Sequence, residues 1–105
     1  MADLTVKQHD TWPPVRATLS DASGPIDLTG ATQIKLILKG ATVTITGNCT
    51  VVSAPAGTVS YTWAAGDTAV AGDYQGEFEI TWPGGKVETV PNDSYLAVTI
   101  KADLG

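Results

Sequence analysis

Gly72-Asp-Tyr-Gln-Gly-Glu-Phe-Glu-Ile-Thr-Trp-Pro83 is the stretch whose reading decides the fold. Tyr74, Gly76, Phe78, Ile80 and Trp82 share one parity; Gln75, Glu77, Glu79 and Thr81 share the other. Successive side chains of a strand point to opposite faces, so extended backbone gives this stretch one apolar face and one acidic, wet face. A helix would scatter the same residues around its circumference, and Gly72, Gly76 and Pro83 would weaken it further. A central strand is therefore expected here, with Phe78, Ile80 and Trp82 in the core.

The same alternation recurs on both sides. Upstream, Val59, Tyr61 and Trp63 form an aromatic inner face, and Ile34, Leu36 and Leu38 point inward between Lys35, Ile37 and Lys39. Val43 and Ile45 continue the pattern, and Gly47-Asn48 reads as a two-residue hairpin turn returning residues 49–53 alongside. Near the start, Leu4 and Val6 alternate, Trp12-Pro13-Pro14 breaks the run, and Val15, Ala17 and Leu19 resume it. Neither proline can donate to a ladder, a break common where an edge strand switches sheets. Downstream, Pro83-Gly84-Gly85 turns into a hairpin partner over residues 86–91, expected to set Lys86 and Glu88 opposite Glu77 and Glu79. Asn92-Asp-Ser94 turns again, and Leu96, Val98 and Ile100 close the fold. About eight short strands with turn signals at regular spacing describe an antiparallel β-sandwich or barrel.

A chain of 105 residues predicts one domain over residues 1–105. Scaling of surface with mass gives roughly 5,600 Å² folded, about 65% of the extended surface being buried, enough for one core without staples. Cys49 is the single cysteine, so no intramolecular disulfide forms. A net charge of −5, with six Lys and Arg placed singly, excludes the basic patch that phosphate backbones require; no nucleic-acid partner is expected. The apolar runs are far too short for a membrane span, so no membrane partner is expected. Residues 1–7 lack a basic segment followed by an apolar run, and synthesis in a cytoplasm is the expectation.

No constellation argues for catalysis, a cofactor or a metal. His9 stands beside Asp10, but neighbours on a strand face opposite ways and no second ligand lies near. Cys49 has no partner histidine at a recognisable spacing and reads as an inert thiol. Glu77 and Glu79 share a face, yet glycosidase carboxylates belong in a cleft, and a solvated sheet face explains the pair. Asp67, Asp73 and Asp93 lack the dense spacing of a calcium loop. Gly84-Gly85 is a turn and not a phosphate loop. Trp12 is different, because it sits in a break between strands. It either plugs one end of the fold or stands exposed as the kind of anchor found in interface hot spots.

Two resemblances go further. Residues 67–74, Asp-Thr-Ala-Val-Ala-Gly-Asp-Tyr, resemble the loop before the sixth strand of immunoglobulin-type domains, where an Asp precedes a Tyr whose hydroxyl returns to the backbone as a tyrosine corner. That likeness implies an all-β, immunoglobulin-like antiparallel β-sandwich without its disulfide, with Asp67 and Tyr74 at the corner. Over residues 4–101, Leu28-Thr-Gly-Ala31, Gly57-Thr-Val-Ser-Tyr-Thr-Trp63, Glu77-Phe-Glu79, Val87-Glu-Thr-Val-Pro91 and Tyr95-Leu-Ala-Val-Thr-Ile100 follow in order. Together they resemble the N-terminal immunoglobulin-like domain of baseplate upper proteins from tailed bacteriophages.

The second resemblance implies a non-enzymatic structural subunit of the virion, contacting other virion proteins and copies of itself in a symmetric assembly. Members of that family continue into long C-terminal regions, whereas this chain stops at Gly105. The expectation is thus a mounting module of tail, baseplate or connector. A capsid decoration protein, or a carbohydrate-binding module contacting a host surface glycan, is the alternative. The expected interface comprises Trp12, Pro13 and Pro14 as an apolar anchor and Tyr95, Ala97, Thr99 and Lys101 as a pairing edge, unless the N-terminal strand already covers that edge.

Overall fold

The computed structural model describes residues 4–90 and 96–104, and among these there is no helix. The strands are β1 (Leu4–Lys7), β2 (Val15–Thr18), β3 (Ser20–Asp21), β4 (Gly24–Pro25), β5 (Gln33–Lys39), β6 (Thr44–Asn48), β7 (Thr50–Ser53), β8 (Thr58–Tyr61), β9 (Gly72–Trp82), β10 (Lys86–Val90) and β11 (Leu96–Lys101). The chain is all-β and carries no disulfide.

β9 is the organising strand because it is long enough to take three partners. Along one side it runs antiparallel to β5, from Gln33↔Thr81 to Lys39↔Gln75. Its other side is divided: β11 pairs with Gly72 to Gly76, and β10 pairs with Phe78 to Trp82. β6 extends the sheet beyond β5, and β1 lies parallel to β11, from Leu4↔Val98 to Lys7↔Lys101. The resulting six-stranded sheet faces a second one in the order β2-β8-β7, while β3 and β4 form a small ribbon.

One core joins both sheets. Leu36, Leu38, Phe78, Ile80 and Val98 come from the larger sheet, and Val15, Val59 and Tyr61 from the smaller; all are buried. Each side chain of this size stabilises the fold by about 1.5–3 kcal/mol through its removal from water. Leu19, Ile26 and Leu28 add to the core from the irregular chain between β2 and β5. Gly57 is fixed there by geometry. Its φ is +72°, and a Cβ would stand 2.6 Å from the Ile26 carbonyl oxygen and 2.8 Å from that of Leu19.

The alternation of residues 72–82 predicted the sides correctly, with one qualification. Phe78 and Ile80 are fully buried, whereas Trp82 packs at the rim and is half-buried. Its indole Nε1 donates to Glu88 Oε1 at 3.2 Å. Lys86 and Glu88 therefore lie on the Trp82 side, which overturns the expectation that they stand opposite Glu77 and Glu79. The three-residue turn at residues 83–85 pairs Lys86 with Trp82 and Glu88 with Ile80, which sets the parity of β10.

Two pairing expectations are overturned. Gly47-Asn48 is not a hairpin turn: β6 pairs with β5 and β7 with β8, so the chain passes from one sheet to the other at Cys49. Nor is the edge of residues 96–101 open. β11 lies between β1 and β9, which use both sides of its backbone within the monomer.

Candidate functional site

The exits of β1, β8 and β11 and the entries of β2 and β9 gather at one end of the molecule, as the pairs Lys7↔Lys101, Ile100↔Gly72 and Val15↔Tyr61 require. Two irregular segments cross this end side by side: residues 8–14 from β1 to β2, and residues 62–71 from β8 to β9. The prolines explain why the first is not a strand, and several of its polar groups are bonded to the second.

Gln8 N donates to the Lys101 carbonyl at 2.7 Å, and Gln8 Nε2 to the Ala69 carbonyl at 2.7 Å. His9 N donates to the Thr68 carbonyl at 3.1 Å. Thr68, a buried polar side chain, returns its hydroxyl to the Asp10 carbonyl at 2.8 Å. Trp63 Nε1 donates to the Pro13 carbonyl at 3.0 Å. Bonds of this kind contribute about 0.5–1.5 kcal/mol each, so the crossing is a fixed platform and not a loose loop.

Trp12 rises from that platform with 71% of its surface exposed. Pro13 beside it is exposed and Pro14 half-buried, and the Trp12–Pro13 peptide bond is cis. Val70 and Leu104 are exposed on the adjoining segments. His9 Nδ1 and Asp103 Oδ2, 3.0 Å apart, tie the C-terminal segment to the crossing. The result is apolar surface presented on rigid backbone at one end of the sandwich.

Beneath the platform lies a polar lining. The Tyr61 hydroxyl donates to Asp67 Oδ2, which also accepts from Ala64 N at 2.8 Å. Burial, and then the bond to Asp67, raise the Tyr61 hydroxyl above its ordinary ionisation range. Tyr61 meets Trp63 edge to face, with ring centroids 5.8 Å apart. Tyr74 Oη donates to the Val70 carbonyl at 2.7 Å, the geometry of a tyrosine corner. Asp67 does not serve Tyr74; it serves Tyr61.

The remaining interface candidates divide. Lys101 is exposed at the same end as Trp12. Ala97 is exposed and Thr99 half-buried; both face outward from the six-stranded sheet, and Thr99 Oγ1 donates to Asp73 Oδ1 at 3.1 Å. Tyr95 lies outside the described residues. With the β11 edge covered by β1, these side chains offer a sheet face in place of a pairing edge.

The residues weighed for chemistry are dispersed. Glu77 and Glu79 are half-buried on the outer sheet face beside Ile37 and Lys35. Cys49 is half-buried, and burial pushes its thiol up to about 12. Asp93 lies outside the described residues. Among the described residues, no three His, Cys, Asp or Glu side chains stand close enough to share a metal ion.

Gln8, Trp63 and Thr68 were not picked out by sequence patterning as platform residues. The one usable signal was Trp63, because a tryptophan at a strand end needs an acceptor for its N–H when buried. No family model and no curated protein matches this sequence.

Proposed function

We propose that this chain is a non-enzymatic structural module of a tailed-phage particle, a mounting unit of tail, baseplate or connector. The observation that carries the proposal is Trp12, a large apolar side chain held exposed on a platform whose backbone is bonded at Gln8, His9, Asp10 and Pro13. A rigid aromatic anchor loses little conformational entropy when a partner covers it. The ordered motifs of residues 28–31, 57–63, 77–79, 87–91 and 95–100, which resemble those of baseplate upper proteins, support the reading.

The strand orders support an immunoglobulin-like sandwich. β11-β9-β5-β6 opposite β2-β8-β7 corresponds to the G-F-C-C′ and B-E-D arrangement of such domains, and the Tyr74–Val70 bond to their tyrosine corner. Partners in this reading are other virion proteins and further copies of the chain, and its location is the virion. Mass spectrometry of separated heads and tails is the test. The protein is expected at many copies in the tail fraction; recovery with heads favours a capsid decoration role, and absence from the particle ends the proposal.

The exposure of Trp12 also favours a second reading, a module that stacks the indole on a sugar ring of the host surface. Binding to cell-wall polysaccharide that Trp12→Ala abolishes would support it, and no binding would dismiss it.

A further inference from the structure

The outer face of the six-stranded sheet carries charge in two rows of opposite sign. β5 contributes Lys35 and Lys39, with Ile37 between them, and has no carboxylate. β9 beside it contributes Asp73, Glu77 and Glu79, and has no cation. The alternate residues of both strands, among them Leu36 and Phe78, are in the core, so these side chains point away from it. The antiparallel register holds the two rows level: Lys35 lies across from Glu79, Ile37 from Glu77 and Lys39 from Gln75. Lys39 and Asp73 are exposed, and Lys35, Glu77 and Glu79 are half-buried. Among the described residues the ion pair within the monomer is His9–Asp103, so none of these five charges is engaged in one.

Such a face selects its occupant by charge pattern. A partner of uniform sign would match one row and be repelled by the other. The complement of a positive row beside a negative one is the same pattern turned over, and a twofold axis does that turning. An axis parallel to the strands and midway between β5 and β9 exchanges the rows and keeps each residue at its own height. Lys35 of one copy then faces Glu79 of the other, twice over, because the register sets these two residues level. Lys39 comes to lie between Asp73 and Glu77 of the other copy.

We propose that this sheet face is a homodimer interface, on which a second copy of the chain packs face to face and pairs its charge rows with the first. The face is large enough. The strand order β1-β11-β9-β5-β6 places five strands side by side, roughly 24 Å at a spacing of about 4.8 Å. β9 has 11 residues, roughly 37 Å at its full extension. A stable interface uses roughly 800 Å² on each partner, which a face of these dimensions can supply. Ile37, in the middle of the lysine row, places an apolar side chain within the contact. The contact is isologous, so it closes at two copies instead of growing into a filament.

This inference is independent of the particle assignment: absence from a virion leaves it intact, and a monomeric chain leaves the Trp12 anchor intact. Sedimentation equilibrium of the full chain from micromolar to millimolar concentration tests it. A dimer is expected, and it should weaken as salt is raised, since paired rim charges are screened. Unfolding of the dilute monomer should not register these charges, so association is the readout. Lys35→Glu and Glu79→Lys, each alone, set like charges against each other twice and should weaken the dimer at least about tenfold. Mixed together, the two variants should form a heterodimer, because each reversed charge then meets its opposite on the other chain. That rescue separates the interface from any effect within one sheet, where the mixture changes nothing. Lys86→Glu makes the same change of net charge on the Trp82 side of β10 and should leave the dimer in place. A parent that stays monomeric at every concentration overturns the proposal. So does a dimer that neither reversal weakens, one that Lys86→Glu dissociates, or a mixture of the two reversed variants that stays monomeric.

Discussion

Tyr61 donates its hydroxyl to the carboxylate of Asp67, and the two residues tie the smaller sheet to the crossing that follows it. The Tyr61 ring is only 5% exposed and lies directly over Gly47, across the core on β6. A Cβ at Gly47 would stand 2.3 Å from Tyr61 Cε1. The bond to Asp67 at one end and the edge contact with Trp63 at the other keep the ring from yielding. Gly47→Ala should therefore destabilise the domain by about 1–3 kcal/mol, as overpacking of a core does. An unchanged denaturation midpoint would show that the ring moves freely.

Asp67→Ala leaves the Tyr61 hydroxyl buried without its acceptor and should cost about 1–3 kcal/mol. Tyr61→Phe removes the donor, and Asp67 still accepts from Ala64 N. In a double-mutant cycle the pair should show a coupling of about 0.5–3 kcal/mol. Additive losses in urea titrations would mean that the two groups do not interact in solution.

Phe78 and Glu79 are neighbours on β9 with opposite fates. Phe78 is fully buried and Glu79 is on the outer face. Phe78→Ala should cost about 3–5 kcal/mol through lost transfer energy and a residual cavity. Glu79→Ala should shift stability by less than about 0.5 kcal/mol. Equal shifts in the two unfolding midpoints would invert the assignment of faces.

That inside–outside assignment was legible because alternation is a local property, and β9 sustains it over its whole length. Partner choice is not local. Gly47-Asn48 between two alternating runs carries a hairpin's composition, yet Gly47 is small because the Tyr61 ring needs the space. β6 and β7 find partners far away in sequence, on different sheets. In the same way, β1 and β11 each read as strands, but nothing in either says that they lie side by side in parallel. The platform under Trp12 was hidden for a related reason. Its bonds from Gln8, Thr68 and Trp63 join segments whose proximity only the closed sandwich creates.

Stability should fall on the alkaline side. Burial pushes the Cys49 thiol from its ordinary 9.0 to about 12, and burial followed by the Asp67 bond raises the Tyr61 hydroxyl above its ordinary 10.0. Both groups stay protonated in the folded chain at pH values where the unfolded chain ionises. The unfolded state then binds fewer protons, so stability decreases as pH rises. The contribution of Cys49 is complete below about pH 9 and is lost between there and about 12; that of Tyr61 begins to fall near 10. Thermal midpoints across this range should drop, and Cys49→Ala should remove the earlier part of the decline. The Cys49 thiol should also react slowly with Ellman's reagent in mildly alkaline buffer until the protein unfolds. A prompt reaction in the folded state would show that the thiol is solvated.

Trp12 and Trp63 lie on the two segments that cross at one end of the sandwich, and the two side chains are expected to separate function from stability. Trp63 is buried and its indole N–H holds the Pro13 carbonyl, whereas Trp12 is exposed and packs on little. Trp12→Ala should change the stability of the isolated domain by less than about 0.5 kcal/mol, because no buried contact is lost. Under the proposed mounting role it should nevertheless abolish incorporation into particles, and under the glycan-binding reading it should abolish binding to host polysaccharide. Trp63→Phe keeps most of the buried ring but removes the donor, so the Pro13 carbonyl must turn to water. A loss of about 0.5–1.5 kcal/mol is expected, with faster amide exchange at Gln8 and His9 as the crossing loosens. Incorporation should then fall in proportion to that loosening, since Trp12 is still present but no longer held in place. If Trp12→Ala assembles as well as the parent chain, the anchor lies elsewhere on the surface. If Trp63→Phe leaves the exchange of Gln8 and His9 unchanged, the platform is held by Thr68 and Gln8 alone.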